Sequence, residues 1–126
     1  MGKKILVIDD DKLVLGTLKR LLKTEGYNVA TGQSGDEALE RIRQSNFDLI
    51  ISDIRMPGID GLETLKEIRA YLSKEGRERI PELVITGYDN DDNRKRATES
   101  KVAGYITKPF DLKELLTNIE SNISAT

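Results

Sequence analysis

Hydrophobic and polar positions follow two patterns that alternate along the chain. Short, nearly continuous apolar runs are typical of buried strands, whereas apolar residues that recur every three or four positions are typical of amphipathic helices. Runs of the first kind predict strands at Lys4–Ile8, Tyr27–Thr31, Asp48–Ser52, Glu82–Thr86 and Ala103–Thr107. The segments between and after them predict helices at Asp11–Glu25, Gly35–Gln44, Gly61–Leu72, Asn90–Lys101 and Asp111–Ile123.

This alternation predicts an α/β fold in which helices cover both faces of a parallel sheet. Five strands are too few for an eight-stranded barrel, so we expect an open, doubly wound sheet with right-handed crossovers. The 126 residues contain no repeat, low-complexity tract or linker, and they have a usual single-domain length. We therefore predict one domain over residues 1–126.

Composition removes several classes of chemistry. The chain has no cysteine and no histidine, which excludes disulfides, cysteine zinc sites and Ser-His or Cys-His catalytic pairs. The formal net charge of −2 gives no reason to expect contact with nucleic acid. No apolar run approaches the roughly 20 residues of a membrane span, and no signal peptide precedes the first strand. We therefore expect a cytoplasmic protein without a membrane partner.

Ionisable and hydroxyl side chains stand where four of the predicted strands end. Asp9 and Asp10 follow the first strand, Asp53 follows the third, Thr86 ends the fourth and Lys108 follows the fifth. The carboxyl ends of parallel strands share one edge of the sheet, and ligands bind in the crevice there. The sequence therefore predicts that three carboxylates, a hydroxyl and an ammonium group meet at this edge.

Such a cluster suggests metal-assisted phosphoryl chemistry. Carboxylates held close together either retain protons or bind a cation. Oxygen ligands without histidine or cysteine favour a hard cation, and few protein ligands with room for water favour Mg²⁺ over Ca²⁺. The candidate nucleophile is then a carboxylate that could form an aspartyl-phosphate, with Lys108 and Thr86 placed to contact phosphoryl oxygens.

Four segments, "VIDDD", "SDIRMPGIDGLE", "VITGY" and "GYITKPF", resemble in order and spacing the signature blocks of bacterial response-regulator receiver domains. The resemblance covers nearly the whole chain and implies a flavodoxin-like (βα)5 fold with strand order 2-1-3-4-5. It implies that Asp53 is the phosphoacceptor and that Thr86 and Lys108 contact the phosphoryl group. The implied Mg²⁺ ligands are Asp9, Asp10, Asp53 and the main-chain carbonyl of Arg55.

The same resemblance implies two-component signalling rather than turnover of a separate substrate. The phosphoryl donor would be a sensor histidine kinase or a phosphotransfer protein, docked on the first helix. The signal would leave through the helix 4–strand 5–helix 5 surface, with Thr86 and Tyr105 as the switch pair. The recipient would be a downstream protein, or an output domain outside these residues. Arg55 and Tyr88 stand at positions that tune phosphoryl lifetime in the family, and we hypothesise that they shield the phosphoryl group from water.

Some local features depart from the family pattern or need a structural check. Lys101 stands where the family often has glycine, so the fourth helix is expected to end differently or with strain at Lys101. The Ser73–Pro81 segment looks longer than usual, and Pro57 is expected to help turn the chain away after Asp53. The resemblance also implies that the Lys108–Pro109 peptide is cis, which is consistent with the occurrence of cis bonds before proline. The basic run of residues 94–96 is interpreted mainly as a solvated face, and otherwise as a docking surface.

Other functions share parts of this pattern. A receiver-like module could bind proteins without phosphorylation. A Mg²⁺-dependent aspartyl phosphohydrolase usually has a second acid two residues after the nucleophile, where this chain has Arg55, and it usually adds a cap domain. A flavodoxin-like cofactor binder would need a phosphate loop after the first strand, where "DDDK" would repel phosphate.

Overall fold

The computed structural model describes residues 2–56 and 58–123, so the turn role expected of Pro57 lies outside the described residues. Within them, one parallel sheet has the order β2-β1-β3-β4-β5, which confirms the predicted doubly wound α/β fold. Its strands are β1 (Lys4–Ile8), β2 (Asn28–Gly32), β3 (Leu49–Asp53), β4 (Glu82–Thr86) and β5 (Gly104–Thr107). The helices are α1 (Lys12–Thr24), α2 (Gly35–Gln44), α3 (Gly61–Lys74), α4 (Asp91–Glu99) and α5 (Leu112–Asn122).

The core consists of two apolar layers, one on each face of the sheet. Successive strand side chains point to opposite faces. Leu6 of β1 therefore packs into the layer with α2 and α3, and Ile5 packs into the layer with α1 and α5. Burial on both faces explains why β3 begins with the apolar residues Leu49, Ile50 and Ile51 and is buried at every position.

Polar side chains begin each helix and so fix where the chain leaves the sheet edge. Each N-cap side chain accepts a hydrogen bond from a main-chain N–H in the first helical turn, which satisfies a donor that the helix leaves unpaired. The caps are Asp11, Ser34, Asp60, Asn90 and Asp111. Asp11 is thus occupied in starting α1, beside the acids that precede it.

The ends of α3 and α4 each differ by two residues from the sequence prediction. Helix α3 continues to Lys74, which shortens the segment before β4 that had looked unusually long. Helix α4 ends at Glu99, and Lys101 follows with a φ of 58°, in the left-handed region that favours glycine. Arg79 donates to the main-chain carbonyls of Ser100 and Lys101 and thereby stabilises this end. The left-handed φ of Lys101 is the backbone strain that the sequence led us to expect.

The Lys108–Pro109 peptide bond is cis, as predicted. No helix among the described residues is long and apolar enough to span a membrane.

Candidate functional site

Strands β1, β3 and β5 bring the predicted ionisable groups to one edge of the sheet. Asp9 follows β1 directly, and Lys108 follows β5. Asp53 is the last residue of β3 rather than the residue after it, and it pairs in register with Ile85 of β4. This one-residue correction matters because the main chain of Asp53 is then held by the sheet itself.

Lys108 bridges the two buried carboxylates. Its Nζ lies 3.0 Å from Oδ2 of Asp53 and 3.3 Å from Oδ2 of Asp9. The remaining oxygens accept main-chain hydrogen bonds, Asp53 Oδ1 from the Arg55 amide at 3.3 Å and Asp9 Oδ1 from the Asp11 amide at 3.0 Å. Both carboxylates therefore have fixed orientations.

The single positive charge of Lys108 is shared by two buried carboxylates, so it neutralises their negative charge only in part. Asp9 is 4% exposed and Asp53 is 7% exposed. Burial raises the pKa of Asp9 to about 6; the Asp11 amide opposes this, the charge of Asp53 adds to it, and Lys108 opposes it. Burial alone would lower the pKa of Lys108, but the hydrogen bond and charge of Asp53, with the charge of Asp9, raise it. Lys108 therefore stays protonated and shared by the two acids.

The donor set fits a hard divalent cation. Asp9, Asp10 and Asp53 each offer an oxygen, and these atoms lie within 4.8 Å of one another. They open onto a cavity of about 490 Å³, which leaves room for the water ligands that Mg²⁺ retains. Arg55 lines the same cavity, as a further ligand from that residue would require.

Arg55 and Tyr88 lie together at this cavity. The guanidinium carbon of Arg55 lies 4.3 Å from the centroid of the Tyr88 ring, and both side chains line the cavity. The stack joins the loop after β3 to the loop after β4. The sequence placed both residues near the site but did not predict their contact with each other.

The two expected switch residues lie apart from the acidic cavity. Thr86 is fully buried, its hydroxyl oxygen accepts from the Tyr88 amide at 2.9 Å, and it is absent from the described lining of the cavity. The Tyr105 hydroxyl donates to Oδ1 of Asp89 at 3.1 Å. Arg94 packs over the Tyr105 ring at 5.0 Å and donates two hydrogen bonds to Asp89.

This Asp89–Arg94–Tyr105 cluster was not predicted. The run at residues 94–96 was interpreted mainly as a solvated face, yet Arg94 and Arg96 both make ion pairs, with Asp89 and Asp60. Asp60 comes from a distant segment, at the start of α3, and Asp89 lies in the loop that leads into α4, where its spacing from Arg94 does not identify it as a partner. A lone Asp89 in a polar loop carries no sequence signal of its own.

An apolar groove adjoins the acidic cavity. It lies between α1 and the β5–α5 connection and has a volume of about 430 Å³. Leu13 of α1 is 76% exposed at its rim, and Lys108 lines both the groove and the acidic cavity. The remaining lining is mainly apolar, including Val14, Leu21 and Phe110.

Comparison with known proteins gives consistent matches. The family model described as response regulator receiver domain matches residues 5–120. Transcriptional regulatory protein ZraR of Escherichia coli is 38% identical over 122 residues, which are 97% of this chain and 26% of that protein. The chain therefore spans about a quarter of the length of the curated relatives it matches.

Solved structures show the same architecture. Chemotaxis protein CheY4 of Vibrio cholerae is 28% identical with a TM-score of 0.88, and the match covers 98% of this chain and all of the other. The non-phosphorylated receiver domain of HemR from Leptospira biflexa is 34% identical with a TM-score of 0.84, covering 99% of this chain and 97% of the other.

Proposed function

The chain belongs to the response regulator receiver domain family, and from this premise we propose that residues 1–126 form a receiver domain that accepts a phosphoryl group on Asp53. The family is a signalling module rather than a class of enzymes that turn over a substrate. The observation that carries the proposal is the Lys108 ammonium bridging Asp53 and Asp9 within the acidic cavity. The cytoplasmic location expected from the sequence is part of the same proposal.

We propose a phosphohistidine as the phosphoryl donor, as the family implies. It must lie outside these 126 residues, because they contain no histidine. A carboxylate oxygen of Asp53 attacks phosphorus, the P–N bond to the imidazole breaks and a P–O bond forms. The released imidazole nitrogen takes a proton from solvent. Such a transfer depends mainly on positioning and charge neutralisation, so fixed orientation of the Asp53 carboxylate is this chain's main contribution.

Charge neutralisation comes from two sources. Lys108 keeps its proton beside the two acids and can follow the new negative charge as it forms on the phosphoryl oxygens. Asp9, Asp10, Asp53 and the main-chain carbonyl of Arg55 would hold Mg²⁺, which when bound offsets the negative charge of the phosphoryl group. Thr86 would donate its hydroxyl to a phosphoryl oxygen after leaving the Tyr88 amide.

The apolar groove beside α1 is the proposed docking site for the donor, a sensor histidine kinase or phosphotransfer protein. Its shared border with the acidic cavity at Lys108 would place a histidine of a protein docked there near Asp53. The exposed Leu13 offers an apolar contact at the rim of the groove.

The output surface is proposed to be α4, β5 and α5. Movement of Thr86 toward the phosphoryl group would open space into which the Tyr105 ring could turn, once its contacts with Asp89 and Arg94 break. This is a shift between two populated states. The recipient is a downstream protein or an output domain, and we propose no direct contact with nucleic acid or membrane.

Intact mass after incubation with acetyl phosphate tests the proposal. We expect a Mg²⁺-dependent gain of one phosphoryl group, absent in Asp53→Asn and retained in Asp48→Asn, which changes a carboxylate at the opposite end of β3. No gain in the wild-type protein at any Mg²⁺ concentration would favour a binding module that works without phosphorylation. Continuous release of phosphate without a stable adduct would favour an aspartyl phosphohydrolase.

A further inference from the structure

The first turn of α3 lies directly on the main chain of Asp53. A Cβ atom added to Gly61 would stand 1.7 Å from the main-chain oxygen of Asp53, so no other residue fits without movement. The Gly61 amide donates to the Ile54 carbonyl at 2.6 Å, and the Ser52 hydroxyl donates to the Asp53 carbonyl at 2.8 Å. A displacement of this turn must therefore displace the peptide unit that carries Asp53.

Asp60, the residue before Gly61, belongs to two contacts at once. Its Oδ1 accepts the Glu63 amide at 2.9 Å as the N-cap of α3. Its Oδ2 accepts Nη2 of Arg96, in α4, at 2.5 Å. The side chains of Asp60 and Arg96 are 23% and 36% exposed, so the ion pair is partly shielded from water. One carboxylate thus ties α4 to the turn that supports Asp53.

Helix α4 depends on such polar contacts for its position. Asn93 and Ala97 are its buried residues among those described, which leaves little apolar surface to hold it. Its Lys95–Glu99 pair stays within the helix, and its Arg94–Asp89 pair reaches only the loop that leads into it. Among the described residues, the ion pair that connects α4 to the start of α3 is Arg96–Asp60.

We propose that Arg96 is a positioning residue for the phosphoacceptor, which acts through Asp60 and Gly61 on the main chain of Asp53. The inference rests on the proposed function and adds a connection between α4 and the site that does not pass through Thr86 or Tyr105. Because coupling between two sites is reciprocal, a change at Asp53 would also change the strength of the ion pair between Asp60 and Arg96.

The first test measures the rate of phosphorylation by acetyl phosphate with Mg²⁺ at low ionic strength. We expect Arg96→Gln to slow the reaction about twofold to fivefold, the range expected for loss of a partly exposed ion pair. Lys95→Gln removes the same charge from the neighbouring position and should leave the rate unchanged, and Arg96→Lys should recover part of it. Equal slowing in Lys95→Gln and Arg96→Gln would show a general charge effect and overturn the inference.

A double-substitution cycle tests the route through Asp60. Asp60→Asn keeps an N-cap acceptor but loses the negative charge. If the ion pair carries the effect, Asp60→Asn with Arg96→Gln is no slower than either single variant. Independent effects that multiply in the double variant would contradict this route.

Hydrogen exchange at the Gly61 amide gives a readout that does not require phosphorylation. We expect exchange about twofold to fivefold faster in Arg96→Gln than in Lys95→Gln, with the same stability to global unfolding. If the wild-type protein gains no phosphoryl group, the proposed function fails and this exchange still decides whether Arg96 positions the turn. If the wild-type protein is phosphorylated and the two variants agree in rate and exchange, only the inference fails.

Discussion

Replacement of Asp9 by asparagine should stabilise the metal-free protein at neutral pH. Asp9 is almost fully buried, and burial raises its pKa to about 6 from an ordinary value of 3.8. Between these two values the folded protein keeps a proton that the unfolded chain has lost. The folded state is therefore favoured most below about pH 4, and it loses this contribution as the pH rises through about 6.

The magnitude follows from the size of the pKa difference. Two pKa units correspond to about 3 kcal/mol of unfolding free energy, which asparagine would recover at neutral pH because it carries no charge. This difference already includes the Lys108 hydrogen bond and charge, which lower the pKa of Asp9, so their loss in the variant is not subtracted again. The asparagine side-chain oxygen can still accept from the Asp11 amide. We expect net stabilisation of about 2–3 kcal/mol at about pH 7.5 and none near pH 4.

Urea unfolding with a chelator present, at several pH values across this range, measures the effect. Asp10→Asn is the matched control, because Asp10 belongs to the same cluster but is exposed to water, and its effect should be smaller. Excess Mg²⁺ should reverse the order of wild type and Asp9→Asn, because ligand binding stabilises only a folded state that keeps its ligands. An Asp9→Asn effect that is independent of pH, or destabilising at neutral pH without metal, would refute the reasoning.

Three further predictions concern packing, backbone strain and the proposed phosphoryl lifetime. Gly61→Ala should lower the unfolding free energy, measured in urea, by about 3 kcal/mol or more, because the added Cβ would overlap the main chain of Asp53. The control Gly16→Ala lies on α1, where an added Cβ would have no atom within 4 Å, and it should raise the unfolding free energy by about 1 kcal/mol. Lys101→Gly should raise it by about 0.5 kcal/mol, because relief of the left-handed φ exceeds the added chain entropy; a loss of stability would contradict strain there. Arg55→Ala and Tyr88→Ala should each shorten the lifetime of the aspartyl-phosphate about threefold, and the double variant should be no shorter, since either change abolishes their stack; multiplied effects would show that they act separately.

The sheet and the acidic edge could be predicted because both depend on local pattern. A strand buried on two faces is a continuous apolar run, and the carboxyl ends of parallel strands must share an edge, so Asp9, Asp53 and Lys108 could be placed together without coordinates. The predicted end of β3 was wrong by one residue, because Asp53 is the last residue of the strand and not the residue after it. Strand ends are set by pairing with the neighbouring strand, which the local pattern does not contain.

The contacts around α4 could not be predicted for a related reason. Arg96 and Asp60 are 36 positions apart, and Tyr105 and Asp89 are 16 apart. Each contact therefore depends on how the folded sheet places two separate segments side by side. A polar helix segment looks the same in sequence whether its arginines face water or a carboxylate. The Arg55–Tyr88 stack is of the same kind, since it joins two loops that only the finished sheet makes adjacent.

The contrast between α3 and α4 explains why a charge placed on Asp53 could move one helix and not the other. Helix α3 buries four apolar side chains, each of which contributes about 1.5–3 kcal/mol to its packing: Leu62, Leu65, Ile68 and Leu72. Helix α4 buries Asn93 and Ala97, and its ion pairs are partly exposed, so each contributes about 1 kcal/mol or less. A phosphoryl group offers charge-assisted hydrogen bonds of about 1.5–3 kcal/mol each. One or two such bonds would suffice to shift α4 but are weaker than the packing that holds the body of α3. Helix α4 would therefore respond as a whole, while α3 would change only at its first turn, where Asp60 and Gly61 meet α4 and Asp53.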